Sequence, residues 1–321
     1  MGLEIPFGEP IARFAASVAH ALGRGRIAIL TYHRVLAEPD PLLPEEPDAR
    51  TFDWQVGVLA RHFHPMTVSQ AMERLAAGNL PARTVCITFD DGYADNALVA
   101  LPILQRWKVP ATFFVATGFL NGGRMFNDTI IETVRRIPGE TLEASWLGVP
   151  SLPLRGPVER RKAFETVIDA LKYRSPTERM EMADRLAASL PRELPADLMM
   201  TSDQVRSLAA AGMAVGGHTR RHPILAKIDQ DAAREEIESG RQDLQTILGR
   251  EVDVFAYPNG RPMRDYLPEH VAMVKDAGFR YAVSTSWGSV RKEADPYQLP
   301  RLAPLGQGPR EFALRTARGY F

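Results

Sequence analysis

Two short stretches of this sequence have residue types and spacings suited to chemistry. Ile87-Thr88-Phe89-Asp90-Asp91-Gly92 runs an apolar segment straight into two adjacent carboxylates. Asp-Gly favours a two-residue hairpin turn, yet residues 94–104 have a helical pattern rather than that of a returning strand. Adjacent acids at the mouth of a buried strand are costly unless they share a cation or a proton. Gly217-His218-Thr219-Arg220-Arg221-His222-Pro223 follows another short apolar segment and sets two histidines four residues apart. Both imidazoles can face one cation if the segment makes a single helical turn. One carboxylate and two imidazoles make three protein ligands with coordination left open, the pattern of a catalytic metal site. The single cysteine, Cys86, rules out a multi-cysteine metal site and an intrachain disulfide. Any metal must be held by His, Asp or Glu.

The elements that position these groups form a regular series. Segments 27–31, 85–89, 111–116, 213–217, 252–256, 281–285 and 299–302 are short, apolar and rich in Val, Ile and Phe. That is how strands buried on both faces read. Between them, 69–76, 95–107, 202–211, 230–248 and 270–277 carry apolar residues three or four apart, as helices do. Gly212, Gly249 and Gly278 stand where three of those helices should stop. Strand–helix alternation predicts an α/β fold with a parallel sheet, open or closed, and in such folds sites gather at the C-terminal strand ends. Both chemical segments lie at strand ends.

Two regions fall outside the series. Ile11, Phe14, Ala15, Val18 and Leu22 predict an amphipathic helix over 10–22, packed on the body of the domain. Its polar face, Arg13, Ser17 and His20, is not the basic array of a membrane-surface helix. Residues 121–200 read as an insertion with two charged amphipathic helices, 157–173 and 175–190, forming a lid or an interaction surface.

The 321 residues allow one elaborated domain or two small ones. Lys plus Arg and Asp plus Glu number 39 each, which removes the main electrostatic argument for nucleic acid or an anionic membrane as partner. No apolar run approaches the roughly 18 residues of a membrane span, and the first residues lack the basic and apolar regions of a secretory signal. The expectation is a soluble cytoplasmic protein, with membrane association peripheral at most.

The motifs resemble a known family. Thr88-Phe89-Asp90-Asp91-Gly92 and His218-Thr219-Arg220-Arg221-His222 are similar to the first two motifs of the polysaccharide deacetylases, carbohydrate esterase family four. Phe255-Ala256-Tyr257-Pro258-Asn259-Gly260 resembles the barrel-strand motif that follows them in one branch. Tyr32-His33-Arg34-Val35 fits that branch too, which includes de-N-acetylases of biofilm poly-N-acetylglucosamine. The resemblance covers residues 27–118 and 200–303. It implies a deformed parallel (β/α) barrel of about seven strands, with 1–321 a single catalytic domain and 121–200 inserted in it.

It further implies that Asp91, His218 and His222 bind one divalent ion, zinc first, with cobalt or nickel as alternatives. Asp90 would be the general base toward a water on that ion, whose pKa falls from 15.7 to about 7. The substrate implied is a carbohydrate carrying N-acetylhexosamine units, as a surface glycan or its precursor. Backbone N–H near Asn259 would hold the oxyanion, and Tyr257, Tyr93 and Trp287 are substrate-contact candidates.

Two departures stand out. The Leu-x-His that supplies the acid in many members is here Leu302-Ala303-Pro304, so the acid implied is His33. The arginine that pairs with the base is absent from the third motif, where Ala256 stands, leaving Arg83, Arg261, Arg264 or Arg301 to replace it. These departures keep open an O-acetyl esterase, or a carbohydrate-binding protein without turnover; an amidase for a small non-sugar molecule would share the site.

Lesser candidates have simpler readings. His62 and His64 lie at a helix end ahead of Pro65 and read as structural. Cys86, inside a strand, reads as inert. Asp95 caps a helix or touches sugar, and Trp287 stacks on a sugar or packs in the core. Asn127-Asp128 caps a helix, or reaches the site if the insertion folds over it.

Overall fold

The computed structural model describes residues 25–188, 190, 193–303 and 308–320. The helix expected over 10–22 lies outside them. Strands β1 (Arg26–Tyr32), β2 (Thr84–Phe89), β3 (Thr112–Val115), β4 (Ala214–Gly217), β5 (Val254–Ala256) and β6 (Tyr281–Val283) pair in parallel in that order. A short antiparallel strand, β7 (Val290–Arg291), pairs with the start of β1. The last expected strand, 299–302, is an extended seam: Leu299 bridges Val283 of β6 and Leu302 bridges Leu30 of β1, both in parallel. Leu302 N–H donates to Ile29 O at 2.8 Å and Thr31 N–H to Leu302 O at 2.9 Å. The curled sheet is thereby drawn into a deformed barrel.

Alternate strand residues serve opposite faces, as the two-residue period demands. Ile27, Ile29, Cys86, Phe114, Val254, Val283 and Leu299 pack inward. Helix α2 (Val68–Ala76), begun by a Thr67–Gln70 capping box, plugs that core with Val68, Ala71, Met72 and Leu75. Ala28, Leu30, Val85, Ile87, Phe89 and Phe113 face outward. There they meet α1 (Ala49–His62), α3 (Leu101–Trp107), α7 (Ser202–Ala210), α8 (Gln230–Leu248), α9 (Pro268–Asp276) and α10 (Pro309–Arg318).

The expected helix over 95–107 is split. Asn96–Ala100 forms a wide turn closed by Leu101 N–H to Asn96 O, because Pro102 has no N–H to continue a regular ladder. Helix α1 ends at His62, at the helix end read from the sequence; its start is not placed by that reading, although Asp48 caps it and Phe52, Val56 and Leu59 repeat at helical spacing. In the insertion, α4 (Phe126–Arg136) begins where the Asn127-Asp128 reading puts a helix start, and it precedes α5 (Pro157–Leu171) and α6 (Pro176–Ala187). These helices share an apolar cluster of their own, including Ile130, Val134, Phe164, Val167 and Leu186. No helix among the described residues is long and apolar enough to cross a membrane.

Candidate active site

Both motifs sit at C-terminal strand ends in backbone that few residues adopt. Asp91 follows β2 at φ +75° and Gly92 at +91°, so the chain turns sharply and presents both carboxylates at the barrel mouth. After β4, Thr219 has φ +60° and His222 +53°. Helix α8 braces this second turn: Glu236 accepts N–H bonds from Arg220 at 3.0 Å and Arg221 at 2.6 Å. Gly240 of α8 lies so close that a Cβ there would stand 2.7 Å from the Thr219 carbonyl.

The three expected ligands converge. The Nε2 atoms of His218 and His222 each lie 3.4 Å from Asp91 Oδ1, and one donor atom from each of the three residues falls within 4.8 Å of the others. His218 Nδ1 bonds to Ala256 O at 2.7 Å, an arrangement that fixes the tautomer and leaves Nε2 free as a ligand. Burial pushes His222 down to about 3, against the pull of Asp91, so its imidazole is neutral at neutral pH. Burial opposes ionisation of Asp91, but the three histidines around it, His218 first and then His222 and His33, hold its carboxyl well below the ordinary value. A carboxylate, two imidazoles and an open fourth direction fit a divalent ion such as zinc.

Asp90 takes a different environment. Arg301 reaches it from the barrel seam, Nη1 to Oδ1 and Nη2 to Oδ2, both at 2.7 Å. Arg301 Nε donates to Ser284 O at 3.0 Å, and both partners of the pair are buried. Burial raises the Asp90 pKa, but the Arg301 charge and hydrogen bonds outweigh it and hold the carboxylate ionised. Of the four arginines open in the sequence, the seam selects Arg301.

These residues border a cleft of about 310 Å³. His33 opens onto it, its carbonyl accepting from Asn96 Nδ2 at 2.9 Å. Enclosure lowers the His33 pKa, while the charges of Asp91, Asp90 and Glu46 outweigh that and raise it. Asn259 lines the opposite wall at φ +58°, its carbonyl tied to Thr285 Oγ1 at 2.9 Å. Tyr257 lines it too, stacked on Tyr266, its hydroxyl buried without a hydrogen-bond partner among the described residues. Trp287 is 69% exposed two residues beyond Thr285, so it is not a core residue. Asp95 makes no cap bond; it pairs with Arg34 at 2.8 Å.

The insertion supplies the remaining wall through Asn127, Asp128 and Ile131. Helix α4 begins at Phe126 with no side-chain cap, so Asp128 is not the cap the simpler reading expected. Tyr93 donates to Asp128 Oδ1 at 2.9 Å, Oδ2 is buried without a partner, and burial pushes the Asp128 pKa up to about 7. A second insertion residue, Arg179 of α6, went unnoticed in the sequence; its Nη2 donates to His222 O at 3.0 Å. His64 instead bonds Ala82 O at 2.8 Å at the surface, and Cys86 is buried, its thiol pushed up by burial.

Among solved structures, the fold is similar to the Streptococcus pyogenes deacetylase PplD in complex with acetate. That match has a TM-score of 0.62 and 19% identity, and it covers 91% of this chain and 98% of PplD. IcaB from Ammonifex degensii gives 0.56 at 20% identity, covering 91% and 97% of the two chains. A de-N-acetylase from Aggregatibacter actinomycetemcomitans gives 0.53 at 16%, covering 87% and 95%. YxkH of Bacillus subtilis strain 168, whose name places it among the polysaccharide deacetylases, is 18% identical over 278 residues, covering 86% of this chain and 71% of YxkH. The family profile described as polysaccharide deacetylase matches residues 77–144 and 161–282, a span that contains Asp90, Asp91, His218 and His222 but neither His33 nor Arg301. That match takes in more than half of the sequence, and the chain belongs to the polysaccharide deacetylase family, hydrolases acting on carbohydrate.

Proposed function

We propose that the chain is a divalent-metal-dependent de-N-acetylase acting on N-acetylhexosamine units of a glycan or its precursor. The observation that carries this reading is the convergence of Asp91, His218 and His222 beside a carboxylate, Asp90, that a buried arginine keeps ionised. Zinc suits the donor set best, with cobalt or nickel as substitutes. A divalent ion held by Asp91, His218 and His222 would lower the pKa of a water there toward 7 and so supply a nucleophile at neutral pH.

The protein groups divide the rest. Asp90, whose oxygens keep lone pairs beyond those facing Arg301, accepts the proton of the attacking water. Water oxygen adds to the acetyl carbon, and backbone N–H at the Asn259 turn stabilises charge on the carbonyl oxygen. His33, its pKa raised by the acids around it, gives a proton to the nitrogen as the C–N bond breaks. Acetate and a free sugar amine leave. Tyr93 and Tyr257 border the reacting sugar, and Trp287 offers an exposed face to a neighbouring one.

Residues 1–321 act as one catalytic unit, with 121–200 as a wall of its cleft. The two departures that would suit a binding protein have replacements: Arg301 stands in for the missing third-motif arginine, and His33 for the missing late histidine. The similarity to a protein named as a de-N-acetylase favours amide over ester chemistry.

The test is acetate and amine release from N-acetylglucosamine oligomers, beside bound-metal analysis, for wild type, Asp90→Asn and Asp91→Ala. Wild type should release both products in equal amounts. Asp90→Asn should keep metal and lose turnover, whereas Asp91→Ala should lose both. Acetate from an O-acetylated glycan alone would establish an esterase. A metal-loaded wild type inert on both would establish a binding protein.

A further inference from the structure

The three candidate ligands are held in unequal ways. Asp91 and His218 belong to the barrel: Asp91 O accepts from Ala116 N–H at 3.2 Å, His218 N–H donates to Val115 O at 3.2 Å, and the His218 ring is anchored on Ala256. His222 stands beyond any strand, in backbone that resists it. Its φ is +53°, a region costly for a residue with a Cβ. Pro223 follows, and a residue before proline favours extended backbone. Such a conformation persists only where the surroundings over-determine it. Within its own turn, His222 N–H finds Thr219 Oγ1 at 3.0 Å, but Thr219 is itself at φ +60°. Something outside the turn must hold the His222 carbonyl.

That outside group is Arg179. It is 5% exposed, on helix α6 of the insertion, and its Nη2 meets His222 O at 3.0 Å. The guanidinium lies 4.7 Å over the ring of Phe126, at the start of α4, so two insertion helices aim it. No carboxylate comes within ion-pair distance of it among the described residues. Glu236, whose charge acts on it, is engaged by the amides of Arg220 and Arg221. A cation buried on these terms needs a reason to be there, and its direct hydrogen bond is to the backbone of a ligand.

We infer that Arg179 is a positioning residue for the metal site, clamping the His222 carbonyl so that the insertion, through this one bond, sets the third ligand. This rests on the metal reading above and deepens it. Without the clamp, the 219–223 turn relaxes toward extended backbone and the His222 imidazole leaves Asp91 and His218. Groups that orient a ligand in this way are typically worth 10–100-fold in metal affinity.

The test titrates Co²⁺ into the metal-free full chain and reads both affinity, by chelator competition, and the visible spectrum. Arg179→Gln should bind Co²⁺ about 10–100-fold more weakly than wild type, with a spectrum changed from the wild-type form. Arg179→Lys, which keeps one donor, should recover part of the affinity. Arg185→Gln serves as control, since Arg185 sits on the same helix but lies over Trp146, 4.2 Å from its ring; it should bind as wild type. Equal affinity and spectra for wild type and Arg179→Gln would overturn the clamp, as would an equal loss in Arg185→Gln. If Arg179→Gln does not fold, Arg179→Lys decides: a folded protein with weakened Co²⁺ binding and a changed spectrum supports the clamp, and wild-type affinity and spectrum overturn it. A wild type that takes up no Co²⁺ would bring down the metal reading itself, a result distinct from any difference among variants.

Discussion

Arg301 and Asp90 meet through two parallel bonds of 2.7 Å inside the barrel, 211 residues apart in sequence. Removing one partner of a buried pair typically costs about 3–5 kcal/mol, because the other is left uncompensated. Arg301→Leu should therefore be destabilised by that order and lose most of its turnover. Replacing Asp90 by Asn in the same chain should restore part of the stability but none of the activity. Urea midpoints for the two single variants and the double variant check this, since strict additivity would mean that the pair is not coupled.

Asp128 gives the fold a pH dependence with a definite sign. Its unfolded pKa is about 3.9, and burial raises the folded one to about 7. Across that window the folded state holds a proton that the unfolded state has lost. Its stabilising contribution is whole below pH about 4 and disappears as pH rises through 7. Each unit is worth about 1.4 kcal/mol, so wild type should lose a few kcal/mol relative to Asp128→Asn between those limits. Denaturation of the metal-free proteins at pH 4.5, 6 and 8, with the difference taken at each pH, measures it; a flat difference would remove the assignment.

Gly240 offers a test in which propensity and packing have opposite signs. Alanine in a helix interior is normally better than glycine by about 1 kcal/mol. Here its Cβ would meet the Thr219 carbonyl at 2.7 Å, and α8 would have to move away from the second motif. Gly240→Ala should destabilise by about 1–3 kcal/mol and weaken Co²⁺ binding. A stabilised variant would show that the close approach is easily relieved.

Trp287 separates substrate length from stability. At 69% exposure its loss should change stability by less than about 0.5 kcal/mol. If the indole stacks on a sugar beyond the reacting one, Trp287→Ala should raise KM for long N-acetylglucosamine oligomers and leave short ones unaffected. Steady-state kinetics over a series of chain lengths distinguishes the two.

What was legible in the sequence follows from how local each device is. Asp90-Asp91 and His218…His222 could be read because each pair sits within a few residues of a buried strand's end, where chain direction alone brings both to one rim. Trp287 could be named but not oriented, since exposure is a property of the finished loop. Arg301 was one of four arginines, because its choice depends on how the last extended segment closes the barrel, which no local pattern encodes. Asp128 reads as a helix cap or as a cleft residue, with nothing in the sequence to choose the second, and Arg179 gives no signal at all. Both belong to helices whose charged surfaces look alike until the insertion has been packed against the barrel mouth.

The seam at 299–302 has a dynamic consequence. The amides of Thr31 and Leu302 are bonded across it, and one residue from Leu302 stands the guanidinium that keeps Asp90 charged. Local opening of the seam should therefore separate Asp90 from Arg301 and leave Asp91, His218 and His222, which follow other strands, together. Hydrogen exchange at those two amides reports how often the seam opens and, on the proposed reading, how often the carboxylate loses its partner. On that reading, the charge state of the proposed base depends on single bridges at the seam rather than on a full ladder of strand pairing.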